Sequence, residues 1–103
     1  MTYHNNIFED AHRVINSIGK LNFIRNLLSN GRLEGREWVA INPTRQDKKL
    51  GSFRTNTTSG KWADFSTGDK GGDLIGLYAY LKGISNYDAA CRIVGVQPSN
   101  KRG

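Results

Sequence analysis

The chain has 103 residues, 37% of them hydrophobic and 23% charged, with 12 glycines, which suits one small, turn-rich core and leaves no room for a second lobe. Lys and Arg number 15 against 9 Asp and Glu, a net charge of +6, so polyanions are favoured partners and nucleic acid comes first among them. Cys91 is the single cysteine, which excludes an intrachain disulfide and a thiolate-rich zinc site. No run of about 18 apolar residues and no cationic-then-apolar N-terminus occurs, so the expectation is a cytoplasmic protein without a membrane partner.

In chain order, Ile7, Ala11, Val14, Ile15 and Ile18 follow helical spacing, and Leu21, Ile24, Leu27 and Leu28 continue the stripe beyond Gly19. This predicts one interrupted helix or two short ones. "SNGRLEGRE" then reads as a turn, with Asn30 and Gly31 as a left-handed cap and Gly35 as a second breaker. The segments "EWVAI", "GSFRTN" and "KWADF" are short and rich in aromatic or β-branched residues, and they predict three strands of a small antiparallel sheet. "NPTRQDKKL" is the polar loop between the first two, and "TTSGK" the hairpin turn between the last two.

After "GDKGG", Asp73 is placed to cap a helix whose buried side is Leu74, Leu77, Tyr78 and Leu81, with Gly83 closing it. Ser85 and Asp88 form a capping-box-like start for a last helix carrying Ala89, Ala90, Ile93 and Val94, and Cys91 reads as a packed side chain there. The fold class is therefore α+β: a three-stranded sheet flanked by N-terminal and C-terminal helices. One domain is expected over 1–97, with helices within 1–31, the sheet in 36–66, two helices in 73–95 and a flexible tail over 98–103.

The glycine-rich "GDKGGD" has the look of a phosphate cradle, but Asp69 and Asp73 repel a phosphate and no G-x-x-x-x-G-K-[ST] run is present. Asp64, Asp69 and Asp73 offer oxygen ligands for magnesium, although a turn and a cap already explain two of them and no nucleophile stands out. His4 and His12 lie eight positions apart, which is not the spacing of a helical metal pair. No catalytic residue and no cofactor is expected. The basic residues Arg45, Lys48, Lys49, Arg54, Lys61 and Lys70 are interleaved with Phe53, Trp62 and Phe65, a pairing that suits phosphate contacts beside stacking platforms and points to a single-stranded nucleic acid.

Taken together, "GREWVAINPTRQDKKLGSFRTNTTSGKWADFSTGDKGGDLIGLYAYLKGISNYDAACRIVG" resembles the N-terminal zinc-ribbon domain of bacterial and phage DNA primases and of primase-like proteins of plasmids and integrative elements. In that family a C-x-x-H pair in "CPFHxExTPSF" and a C-x-x-C pair in "CFGCGxGGD" clamp zinc. The stretches "NPTRQDKKLGSF" and "ADFSTGDKGGDLIGLYAYL" resemble these two segments, but Asn42, Arg45, Phe65 and Gly68 stand at the ligand positions, and that set cannot hold zinc. Buried Trp38, Trp62 and Phe65 are expected to replace the lost metal stabilisation.

The resemblance implies a metal-free, non-catalytic module that binds single-stranded DNA template for primer synthesis or replication of a mobile element. Arg45, Lys48, Lys49, Arg54, Lys61 and Lys70 then contact phosphates, Trp62 and Phe53 stack on bases, and Asn42 and Thr44 hydrogen-bond bases or sugars. The alternative is an accessory subunit that docks on a primase, polymerase or helicase through its N-terminal helices and meets DNA only through that partner. A small metal-dependent nuclease ranks third.

Overall fold

The computed structural model describes residues 6–44 and 51–98. Arg45, Lys48 and Lys49, His4 and residues 99–103 of the expected tail lie outside the described residues. The elements are α1 (Ile7–Ile18), α2 (Lys20–Leu27), β1 (Gly31–Glu34), β2 (Glu37–Ala40), β3 (Phe53–Asn56), β4 (Trp62–Asp64), β5 (Lys70–Gly71), α3 (Leu74–Lys82) and α4 (Asn86–Val94). The five strands form an antiparallel meander in the order β1-β2-β3-β4-β5.

The α+β class holds, but the sheet has five strands rather than three. "GRLE" is β1, not a turn: its pattern of exposure lacks the apolar alternation of a central strand because it is an edge. The cap of α2 is Leu28 and not Asn30–Gly31, and Gly31 instead opens β1 opposite Ala40. Gly35, at φ +62°, sits in the tight β1–β2 turn. The second added strand, β5, is only two residues long and lies within what reads as a glycine turn.

The helices follow their sequence signals. Asn6 caps α1 by accepting the Phe8 N–H at 2.9 Å, and Gly19, at φ +98°, breaks the stripe between α1 and α2 where an L side chain is strained. The Asp73 side chain accepts the Gly76 N–H at 2.8 Å to start α3, while Ser85 Oγ accepts the Asp88 N–H at 3.0 Å to start α4. Within α3, Leu74 and Leu77 are buried as expected; Ile75 and Ala79 join them, and Tyr78 and Leu81 are half-buried against the core.

Helix α1 packs on α4. Ala11, Ala89 and Ala90 are all fully buried, small side chains that allow two helices to approach closely. The core continues from these helices into the inner sheet face, where Trp38, Ala40, Phe53 and Trp62 are buried. Burial of one such aromatic contributes a few kcal/mol, roughly 25 cal/mol per Å² of apolar surface.

Candidate nucleic-acid interface

Alternation along β2, β3 and β4 sends Trp38, Ala40, Phe53, Thr55, Trp62 and Asp64 inward, and all are buried, while Val39, on the opposite face of β2, is fully buried as well. The outer face is organised by register. Arg32 pairs with Val39, Val39 with Arg54, Arg54 with Ala63 and Ala63 with Lys70, so one row across the sheet alternates cation and apolar residue. Successive cations in that row are two strand spacings apart, about 10 Å.

The two ends of the row differ. At the β1–β2 end, Glu34 and Glu37 face each other in register, a like-charge pair that destabilises a ladder unless a cation bridges it. Arg54 supplies the bridge, with Nη1 3.1 Å from Glu37 and Nη2 3.4 Å from Glu34, and its Nε donates to the Gly51 carbonyl at 3.0 Å. Arg32 adds a second contact to Glu34 at 2.7 Å. The hydrogen bond from Arg32 foremost, joined by the charges of Arg32 and Arg54, holds the Glu34 carboxyl below its ordinary pKa against an opposing desolvation. Positive charge at this end is therefore largely matched.

At the β4–β5 end, Lys61 and Lys70 are exposed and have no ion pair among the described residues. Phe65 follows β4 with its N–H donated to the Ser52 carbonyl at 2.8 Å, which extends the β3–β4 ladder and turns its ring outward. It is 71% exposed. The expectation that Phe65 is buried in place of a metal ligand is thus overturned, for the same alternation that buries Trp62 and Asp64 turns Phe65 outward. Phe65, Lys61, Ala63, Asn56, Arg54 and Glu37 line a shallow groove of about 240 Å³ that runs across β2, β3 and β4.

The other residues singled out in the sequence are placed differently. Phe53 is 1% and Trp62 6% exposed; their rings meet edge to face at 6.3 Å, and Trp62 lies 4.8 Å from the Tyr80 ring. The Trp62 indole N–H donates to the Asp73 carbonyl at 3.1 Å. These rings are core, which leaves Phe65 as the exposed aromatic of this face among the described residues. Arg54 is half-buried and ion-paired.

Asn42 is buried as well. Its Nδ2 donates to Asp64 Oδ2 and to Tyr80 Oη, each at 2.8 Å, and its Oδ1 accepts from Thr44 N at 2.9 Å and Thr44 Oγ1 at 2.7 Å. Asp64 Oδ1 accepts from Ser66 N at 2.9 Å and Ser66 Oγ at 2.7 Å, while Tyr80 Oη donates to Asp69 Oδ2 at 2.8 Å. Asp64 and Asp69 are thereby engaged in hydrogen bonds, and Asp73 is a helix cap. Among the described residues no group of three His, Cys, Asp or Glu is arranged to hold a metal ion, and no helix is long and apolar enough to cross a membrane.

No family model matches the chain, and no curated protein matches it. Among solved structures, the fold is similar to the crystal structure of the Aquifex aeolicus primase, zinc-binding and RNA polymerase domains, with a TM-score of 0.65 and 23% sequence identity. The match covers 82% of this chain and 20% of that one, so the chain spans about a fifth of that protein's length. The outward Phe65, the two lysines without an ion pair among the described residues and the buried polar group at Asn42 thus sit on an α+β fold similar to that of a primase zinc-binding domain.

Proposed function

We propose that the chain is a non-catalytic module that binds single-stranded DNA template through the outer face of β4 and β5, in support of primer synthesis or replication of a mobile genetic element. The observation that carries this reading is the exposed Phe65 ring in a groove with Lys61, with Lys70 one strand further on. An aromatic face between cations takes a base on the ring and phosphates on the ammonium groups, without regard to sequence. The fold's likeness to part of a primase supports a role in replication. In this reading Phe65 takes the stacking part that composition assigns to Trp62 and Phe53.

The test is fluorescence anisotropy of a labelled single-stranded oligonucleotide with the whole chain at low salt. Binding is expected, and Phe65→Ala is expected to weaken it on the order of tenfold, since one base stacked on an aromatic contributes about 1–3 kcal/mol. An oligonucleotide that does not bind at low salt, or that binds Phe65→Ala equally well, sinks the proposal. A second reading is favoured by the exposed Phe8 and Ile18 on α1: docking of this helix on a replication enzyme, a primase, polymerase or helicase, which brings the DNA. That reading predicts co-purification with such an enzyme that is lost in a Phe8→Ser, Ile18→Ser double variant.

A further inference from the structure

The fold neighbour is a zinc-binding protein by its description, and the sequence resemblance puts Asn42, Arg45, Phe65 and Gly68 at the ligand positions. The donor set does not fit a metal. The Asn42 carboxamide is fully committed to hydrogen bonds, Phe65 carries no donor atom and turns to solvent, and Gly68 has no side chain. Gly68 also adopts φ +86°, a conformation suited to the tight turn over residues 64–69 that the Gly68 N–H closes onto the Asp64 carbonyl at 2.8 Å.

We propose that a hydrogen-bond clasp centred on the buried Asn42 and Asp64 and the half-buried Tyr80 performs the cross-linking here, tying the turn at 42–44 to the turn at 64–69 and both to α3 without a metal. Each part of the clasp has a role. Asn42 spends both protons of its Nδ2, on Asp64 and Tyr80, and both lone pairs of its Oδ1, on Thr44. The Tyr80 hydroxyl accepts from Asn42 and donates to Asp69, so a single oxygen joins both turns.

The clasp joins residues far apart in the chain: Asn42 is separated by 22 positions from Asp64 and by 38 from Tyr80. It therefore closes long loops, as a metal clip does. The Asp64 carboxylate is fully buried, an expensive state that donors from Ser66 and Asn42 make tenable. The Tyr80 ring, held between Phe53 at 6.1 Å and Trp62 at 4.8 Å, fixes the hydroxyl in place. A network satisfied to this extent rigidifies what it joins, whereas one lacking a member leaves buried polar atoms unpaired.

Three measurements on the whole purified chain decide the matter. Elemental analysis of protein expressed in zinc-supplemented medium is expected to find no stoichiometric zinc, and the melting temperature is expected to be unchanged by EDTA or by added zinc. Tyr80→Phe keeps the ring and removes only the bridging oxygen; it is expected to lower the melting temperature by about 4–8 °C, the equivalent for a domain of this size of one hydrogen bond. In the same variant the amides of Thr44 and Ser66, which are bonded to the Asn42 and Asp64 side chains, are expected to exchange with solvent faster.

Asn42→Ala is expected to cost more, and the double variant less than the sum of the two, because both remove parts of one network. If Asn42→Ala does not fold, Tyr80→Phe alone still decides. One chelatable zinc per chain whose removal lowers the melting temperature overturns the proposal. So does a Tyr80→Phe protein that melts and exchanges like the parent.

Discussion

Each tryptophan of the sheet is matched to a glycine and to a helix end. The Trp38 indole N–H donates to the carbonyl of Leu28 at the close of α2, at 2.8 Å, and that of Trp62 to the carbonyl of Asp73 at the opening of α3. A Cβ on Gly31 would stand 2.5 Å from Trp38 Nε1 and 2.6 Å from the Val39 carbonyl; one on Gly71 would stand 2.5 Å from two atoms of the Trp62 ring. Gly71 is therefore required for close approach, a role different from the turn that "GDKGG" announces. Trp62 cannot retreat, pinned by its hydrogen bond and packed against the tilted Tyr80 ring, so Gly71→Ala is expected to destabilise the fold by about 1–3 kcal/mol, the cost of overpacking, measured by urea unfolding. Between the two indoles, in register with both, lies Thr55, fully buried, whose hydroxyl has no hydrogen-bond partner among the described residues. Thr55→Val keeps the shape and removes the unpaired oxygen, and is expected to raise stability by about 1 kcal/mol; a loss of similar size in the same urea titration would show that the hydroxyl is satisfied.

The elements divide by how strongly the pattern of residues expresses them. All four helices are legible, because apolar spacing, Gly19, Asp73, Gly83 and Ser85 are local signals whose physics does not wait on tertiary structure. The three inner strands are legible by their aromatic and β-branched residues. The two edges are not: β1 exposes Leu33 and carries Arg32 and Glu34, and β5 has only Lys70 and Gly71, so neither offers an apolar face to count. The candidate site is legible in its lysines and not in its aromatic. Two-residue alternation from Trp62 through Asp64 already sends Phe65 outward, but the resemblance to a metal-ligand position draws it inward. The charge ladder on β1–β3 is invisible until register brings Glu34, Glu37 and Arg54 together, and it carries its own pH signature. The Glu34 carboxyl is held below its ordinary value near 4.5, so its contribution to stability is complete above that pH and is lost as pH falls through the lower folded value. Urea midpoints of Glu34→Gln and the parent should therefore differ near pH 7 and converge as the pH is taken well below 4.5; a gap that persists in acid would assign the effect to packing instead.

At the scale of the molecule, a net charge of +6 is spread unevenly over the sheet. Arg32 and Arg54 are held by Glu34 and Glu37, whereas Lys61, which lines the Phe65 groove, and Lys70, opposite Ala63 on β5, have no ion pair among the described residues. Arg45, Lys48 and Lys49 fall between β2 and β3 in the sequence. A polyanion laid on this surface distinguishes the two groups by counterion release, since each phosphate neutralised on a single strand contributes about −0.7 to the slope of log K against log salt. Contacts confined to Lys61 and Lys70 give a slope of about −1.4, whereas recruitment of Arg45, Lys48 and Lys49 as well takes it to about −3.5. Stacking releases no counterions, so Phe65→Ala is expected to lower the line without tilting it, while Lys61→Ala with Lys70→Ala tilts it toward zero by about 1.4. Arg54→Ala serves as the contrast: its charge is spent on Glu34 and Glu37, and its removal is expected to lower the unfolding midpoint while leaving the slope in place. Anisotropy titrations across 50 to 200 mM salt, a range of about fourfold over which such slopes are readily resolved, measure all four proteins on one scale. A slope left unchanged by the double lysine variant would move the phosphate path off the β4–β5 edge.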